Sequence, residues 1–194
     1  MPLSICNSAL AKIGVEPITS LTQNTKAARF CNTLYSKLRD DMLISHFWNF
    51  AMNRVALAAV STTPPFGYGY AYQLGSNCLR VRKTDDDSDE WNREGNLLYS
   101  NRSSVMIQFI DSNTSPSKFS ASFREALALN IASELAYAMT QSTTLGERLY
   151  AKHIQKLKDA RSFDGQEGTQ EELEQDVWLE ARMNGASWVG NVEV

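Results

Sequence analysis

The sequence lacks any apolar run that approaches the roughly 20 residues needed for a membrane-spanning helix. Residues 1–14 also lack the basic start and the small-residue cleavage site of a signal peptide. We therefore expect a chain that is made and folded in the cytoplasm and has no membrane partner.

Residues that bind metals or form disulfides are scarce. Of the two histidines, His46 and His153, neither has a cysteine or carboxylate at the spacing of a zinc site. The three cysteines, Cys6, Cys31 and Cys78, are far apart and include no CxxC pair. An odd number of separated cysteines favours reduced, buried thiols. We expect no metal and no cofactor.

The motifs of common catalytic sites are also absent. The chain has no GxxxxGKS or GxxxxGKT phosphate loop, no GxGxxG, no GxSxG and no HExxH. Residues 85–89, DDDSD, lack the glycine and the final glutamate of an EF-hand calcium loop. Glu125 and Glu134 are nine residues apart, and at about 100° per residue they lie on opposite sides of a helix, unlike a glycosidase pair. We expect no catalytic residues and no enzyme.

Charge is unevenly distributed along the chain. The net charge of −3 argues against a protein that wraps nucleic acid. Residues 1–60 carry six bases and three acids, whereas residues 164–194 carry eight acids and the single base Arg182. Surfaces of opposite charge could therefore meet between subunits or partners.

The longest helical pattern covers residues 116–142. Its apolar residues fall on more than one face, which predicts a helix surrounded by partners. One polar stripe remains, consisting of Asn130, Glu134, Tyr137 and Gln141. It indicates a wet seam or a hydrogen-bonded contact with a neighbouring helix, and a catalytic Glu134 is the less favoured alternative.

Three further helices are predicted. A short one covers residues 3–13 and ends at Gly14, a longer one covers about 24–46, and the last covers about 144–163. The second should pack on the central helix. The last has a basic outer side, which is either a solvated face or a face toward DNA; it contains Arg148, Lys152, Lys156, Lys158 and Arg161.

Residues 50–112 change to short alternating patterns typical of strands. Residues 79–82 predict an edge strand, 90–99 a hairpin and 105–110 the strongest strand of the chain. Residues 50–57 fit a strand or a helical extension. The loop at 62–70 is rich in proline and glycine, and its aromatic residues form either a binding surface or a cover on the strands; they are Phe66, Tyr68, Tyr70 and the following Tyr72.

These elements predict a mainly α fold, in which a bundle of about four helices carries a small inserted antiparallel β lobe. The bundle consists of residues 1–49 and 113–163, the lobe of 50–112, and a C-terminal arm of 164–194. Trp178 and Trp188 lie in this otherwise polar arm. We expect them to anchor it to the same subunit or to a neighbour.

Several short sequences in this order resemble the tail tubular protein A family, the head-to-tail adaptor or gatekeeper proteins of short-tailed bacteriophages and related prophages. The similarity extends over nearly the whole chain, and one departure is Phe47, where many members have glycine. The matching residues are NSALAKIG at 7–14, EPI at 16–18, SL at 20–21, FWNFA at 47–51, YQL at 72–74, CLRV at 78–81, EGNLLYS at 94–100, Trp178, and Ala181 with Arg182.

The resemblance implies a structural virion protein and not an enzyme. Members of this family form a ring, here expected to have twelve copies, between the portal protein and the tail nozzle, and genomic double-stranded DNA passes through the channel without sequence-specific contacts. The chain is then expected in the virion tail, at the head-tail junction. The candidate contact residues for subunits or partners are Trp178, Arg182, Trp188, Phe66, Tyr68 and Tyr70.

Two other classes of function stay open. A phage tail-associated peptidoglycan hydrolase would need an acidic pair in a cleft, for example Glu134 with a carboxylate from another helix. A DNA-binding module would need tight, salt-sensitive binding, which the acidic balance of the chain opposes.

Overall fold

A computed structural model describes residues 2–167 of the chain, which contain four α-helices and six β-strands. In chain order these are α1 (Pro2–Lys12), α2 (Lys26–Ile44), β1 (Met52–Ala56), β2 (Tyr70–Gln73), β3 (Cys78–Thr84), β4 (Trp91–Glu94), β5 (Leu97–Ser100), β6 (Met106–Asp111), α3 (Ala121–Thr140) and α4 (Thr143–Gln166). Among these helices none is both long and apolar enough to cross a bilayer.

Short polar side chains set where the helices begin. The hydroxyl groups of Thr25, Ser120 and Ser142 each accept a hydrogen bond from a backbone N–H in the first turn of α2, α3 and α4. Between α3 and α4, Gln141 adopts a left-handed conformation with φ 57° and its N–H donates to Tyr137 O. Because Ser142 then caps α4 at once, α3 and α4 form a tight hairpin.

The α3 helix lies at the centre of the helical part. It contacts α1, α2 and α4, and its buried residues occupy most of its circumference, which confirms the prediction of a helix surrounded by partners. These buried residues are Phe123, Ala126, Leu127, Ala128, Leu129, Asn130, Ile131, Ala132, Leu135 and Ala136. In the α3–α4 contact, a Cβ atom built on Gly146 would lie 3.3 Å from Ser133 O, so glycine permits the close approach of the two helices.

The strands form two antiparallel sheets of three strands each, in the orders β1-β6-β3 and β2-β5-β4. Successive residues of β6 point to opposite faces of the first sheet. Phe109 joins a core shared with Tyr72 and Leu98 of the second sheet, whereas Ile110 joins the core of the helices. The first sheet therefore lies between the helices and the second sheet.

The prediction of a mainly α fold with a small β lobe is wrong. Of the residues that the structure describes, 48% are helical and 19% are in strands, which makes it a mixed α/β fold. Residues 52–111 form two packed sheets with a hydrophobic core of their own. A small lobe that only lay on the helices would not need such a core. The strand β2 uses Tyr70–Gln73, whose position beside glycines and prolines indicated a loop.

Most of the individual elements agree with their sequence patterns. The hairpin of β4 and β5 and the strand β6 are confirmed, and β3 lies at an edge of its sheet as predicted. Residues 52–56 form a strand and not a helical extension. The α4 helix continues to Gln166, three residues beyond its predicted end, so Asp164 belongs to a helix. The three cysteines are free and buried.

Candidate interaction surfaces

Residues 47–51 join the helices to the first sheet, and Trp48 is the centre of this junction. Its side chain is fully buried, and its Nε1–H donates to Met42 O at 2.9 Å. The indole ring stacks on Phe50 at 5.6 Å and meets the edge of Phe123 on α3 at 4.9 Å. Since the same ring touches α3 and the chain entering β1, it fixes the orientation of the sheet on the helices.

Asp164 connects the end of α4 to this junction. Its buried carboxylate accepts the backbone N–H of Asn49 at 3.0 Å and lies 3.2 Å from Nε2 of His46. The side chain of Asn49 donates to the Asp164 carbonyl at 2.7 Å. We call Asn49 and Asp164 the latch. Hydrogen bonds from the backbone and the side chain of Asn49 therefore hold α4 to the segment that enters the first sheet.

Phe47 packs against a cation. The guanidinium of Arg80 on β3 lies 4.2 Å from the centre of the Phe47 ring, and its Nη1 donates to Ile44 O at 3.1 Å. A glycine here could not make the cation–π contact.

The loop at residues 61–69 presents one aromatic side chain to solvent. Phe66 is 85% exposed, whereas Tyr68 is half-buried and contacts the ring of Tyr99 at 6.1 Å. The Gly69 N–H donates to Asn101 Oδ1 at 3.0 Å, which ties the end of the loop to the second sheet. Tyr70 begins β2 and is partly exposed. Among the predicted contact residues that the structure describes, Phe66 is therefore the most exposed.

A groove of about 450 Å³ lies between α1, α3 and α4. Its lining includes four cationic side chains and one acid, with the buried Leu129 and Leu149 supplying apolar surface. We call this the basic groove. Its charged lining residues are Lys12, Arg148, Lys152, Lys156 and Glu125, so their sum is four minus one, or +3.

Two of the groove cations already have partners. Lys12 pairs with Glu125 at 2.7 Å, and Lys156 lies 3.3 Å from Asp159. Within residues 2–167, no hydrogen bond or ion pair engages the charged ends of Arg148 and Lys152. The groove thus offers unpaired positive charge next to apolar surface, which suits an acidic peptide that carries large apolar side chains.

The strand β1 forms one edge of the first sheet and separates two further hollows, of about 480 and about 250 Å³. Arg54, Val55 and Ala56 line both hollows. Across from them, Met106 of β6 is half exposed. An edge strand of this kind can pair with a strand from another chain.

The acidic turn at residues 85–89 is held by hydrogen bonds within the sheets. The Met106 N–H and the Arg102 guanidinium both bind Asp85, at 2.9 and 3.0 Å, and together they lower the pKa of that carboxyl. Asp89 accepts from Ser100 Oγ at 2.9 Å. Within residues 2–167, no group of three or more His, Cys, Asp or Glu residues is placed to hold a metal ion.

Glu134 is exposed on α3 and does not line any of the three hollows just described. In the polar stripe, Asn130 is buried but Tyr137 is 65% exposed. The stripe therefore passes from the interior to solvent along the helix. Glu125, the other acid considered on this helix, is paired with Lys12. The geometry gives no support to a hydrolytic pair built on Glu134.

Trp178, Arg182 and Trp188 lie outside the described residues, so the structure does not place them. The basic groove was not anticipated. The basic side of α4 is visible in the sequence, but its meeting with Lys12 depends on how α1 and α4 pack on α3. Charge periodicity within one helix does not carry this information.

A scan against models of protein families finds none that matches this chain, and a search of curated proteins finds no significant match.

Proposed function

We propose that this chain is a head-to-tail adaptor of a short-tailed bacteriophage or a related prophage. In this proposal it forms a ring, of twelve copies, between the portal protein and the tail nozzle in the virion. Genomic double-stranded DNA passes through the ring without sequence-specific contacts. The chain acts by assembly and performs no catalysis.

The observation that carries the proposal is the structural role of the residues that bear the resemblance. Asn7 clamps the chain after α1, because its side chain accepts from Ile18 N–H and donates to Ile18 O, both at 2.9 Å. Trp48 and Asn49 orient the sheet on the helices. Gly95, at φ 58°, forms the turn of the β4–β5 hairpin. Residues that determine the fold support a shared architecture more strongly than surface residues would.

The exposed surfaces are compatible with assembly into a ring. Head-to-tail contacts between identical subunits need two different, complementary faces. The Phe66 loop belongs to the second sheet, whereas the β1 edge belongs to the first, so the chain offers two distinct surfaces for contact. An exposed aromatic residue and an open strand edge both occur at protein interfaces.

Light scattering tests the proposal. The purified chain would be measured alone and then mixed with the portal protein encoded by the same genome. We expect a subunit that joins the portal to form a complex with many added copies, and electron microscopy of that complex should show a ring. A small stable oligomer that ignores the portal would contradict the adaptor function, and peptidoglycan hydrolysis would then be assayed with wild type and Glu134→Gln.

A further inference from the structure

Within residues 2–167, the acidic side chain that lines the basic groove does not neutralise the positive charge of its cations. Residues 168–194, in contrast, are strongly acidic. They contain six acids and one base, a side-chain charge of −5. The acids are Glu171, Glu172, Glu174, Asp176, Glu180 and Glu193, and the base is Arg182. We infer that residues 168–194 bind in the basic groove of their own chain, with the acidic part of the segment against Arg148 and Lys152.

The length of the chain permits this contact. Lys152 lies 14 residues before the end of α4 at Gln166, which at 1.5 Å per residue is about 21 Å along the helix. About seven residues of extended chain cover that distance. Seven residues beyond Gln166 is residue 173, so Glu174, Asp176 and Glu180 fall within reach of Lys152.

The groove also suits the apolar residues of the segment. Leu129 and Leu149 line it beside Arg148 and Lys152. Trp178 follows the acids at 171–176 in the sequence. A tryptophan that contacts leucine side chains and a neighbouring cation gains both apolar burial and cation–π attraction.

A tether favours the chain's own segment over other occupants. A short covalent tether gives an effective concentration of about millimolar, which a second copy in dilute solution does not reach. Duplex DNA would have to displace the six carboxylates of a segment that is already attached. This inference goes beyond the proposed adaptor function and stands whether or not the chain forms a ring.

Zero-length carbodiimide cross-linking of the full chain tests the contact. Unlabelled and isotope-labelled copies would be mixed, cross-linked and digested, and the joined peptides identified by mass spectrometry. We expect Lys12, Lys152 and Lys156 to be joined to glutamates of residues 171–180, within single copies only. The yield should fall between about 0.01 M and about 1 M salt, since salt screens the attraction.

Lys158 provides a matched control within the same experiment. It is exposed on α4 and closer to the segment than Lys152 is, but it does not line the groove. Cross-links to Lys158 as frequent as those to Lys152 would overturn the inference. Cross-links mainly between labelled and unlabelled copies would also overturn it, in favour of a second copy as the occupant.

Charge reversal supplies an independent readout. In the double variant Lys152→Glu with Lys156→Glu, cross-links from Lys12 to the segment should fall by about tenfold, whereas Lys158→Glu should leave them unchanged. The three substituted lysines, Lys152, Lys156 and Lys158, are exposed, so circular dichroism and thermal unfolding should show folded proteins. Unchanged cross-linking in the double variant would refute the contact. So would tight, salt-sensitive binding of duplex DNA by the full chain that the double variant loses.

Discussion

Two buried polar side chains in the helical core lead to predictions about the stability of the fold. Tyr35 and His153 are both buried, on α2 and α4. The ring of His153 has a partner, whereas the hydroxyl of Tyr35 has none among residues 2–167. A buried polar group without a hydrogen bond has lost its hydration and gained nothing in return.

Replacing Tyr35 by phenylalanine should therefore stabilise the fold by about 1 kcal/mol, as measured by urea unfolding near neutral pH. Burial also raises the pKa of Tyr35 to about 12 from an ordinary 10. The unfolded chain thus ionises first, and wild type should lose stability as the pH rises from 10 to about 12. Tyr35→Phe should not show that part of the loss. The exposed Tyr150 is the control: if Tyr150→Phe gave the same gain, the unpaired hydroxyl would not be its source.

His153 predicts a dependence of stability on acid. Its Nδ1 lies 2.9 Å from Ala126 O, and because a carbonyl can only accept, Nδ1 must carry the proton. Burial lowers the pKa of His153 below its ordinary 6.5, and Arg161 acts in the same direction. The unfolded chain therefore binds the proton first, so the stability due to His153 is complete above pH 6.5 and is lost as the pH falls through the lowered pKa.

Thermal unfolding of wild type and His153→Asn checks this sign. The amide nitrogen of asparagine is as many bonds from the backbone as Nδ1, so it can still donate to Ala126 O, but it does not titrate. We expect the melting temperature of wild type to fall more steeply than that of the variant between about pH 7 and about pH 5. His46 is present in both proteins and cancels from the comparison. Parallel pH profiles would show that His153 does not carry a buried neutral ring.

At the scale of elements, the latch between Asn49 and Asp164 is the contact that ties the end of α4 to the start of β1. Replacing Asp164 by alanine leaves the Asn49 N–H without its acceptor, so we expect a loss of about 3 kcal/mol in urea unfolding. Asp164→Asn keeps one acceptor oxygen and should lose less. The loss for Asp164→Ala is large because Asp164 is only 7% exposed.

Asp159 supplies the control for that prediction. It lies one turn or so earlier on the same helix and pairs with Lys156 near the surface at 3.3 Å. Surface pairs contribute at most about 1 kcal/mol, so Asp159→Ala should have a small effect. An equal effect of the two substitutions would mean that the latch adds nothing beyond an ordinary helix charge.

The periodicity of apolar residues and the signals at helix ends predicted the individual helices and strands. They did not predict how these elements pack together. Gly14 ends α1 with φ 73°, as its position in the sequence indicates. The β2 strand was missed because glycine and proline surround its tyrosines. The basic groove and the latch were missed for another reason. Each joins residues more than 100 positions apart, such as Lys12 with Arg148 and Asn49 with Asp164, and only tertiary packing brings them together.

For the whole molecule, the layered arrangement places the Phe66 loop at the second sheet, on the side of the first sheet away from the helices. The side chain of Phe66 is 85% exposed, so it does not contribute to the hydrophobic core. Residues that dominate the energy of an interface are often aromatic and become fully desolvated only in the complex.

If the chain assembles as proposed, Phe66→Ala should separate folding from assembly. We expect its urea unfolding to match wild type within about 0.5 kcal/mol, because an exposed side chain contributes little to the folded subunit. Its affinity in the portal-dependent assembly, followed by light scattering, should fall about 30-fold or more, corresponding to the 2 kcal/mol of an interface hot spot. Tyr150→Ala, which removes an exposed aromatic residue from α4, should assemble like wild type. If Phe66→Ala assembled as well as wild type, the contact surface would lie away from the loop. If Tyr150→Ala lost as much affinity as Phe66→Ala, the loss would be a general effect of removing exposed aromatic residues.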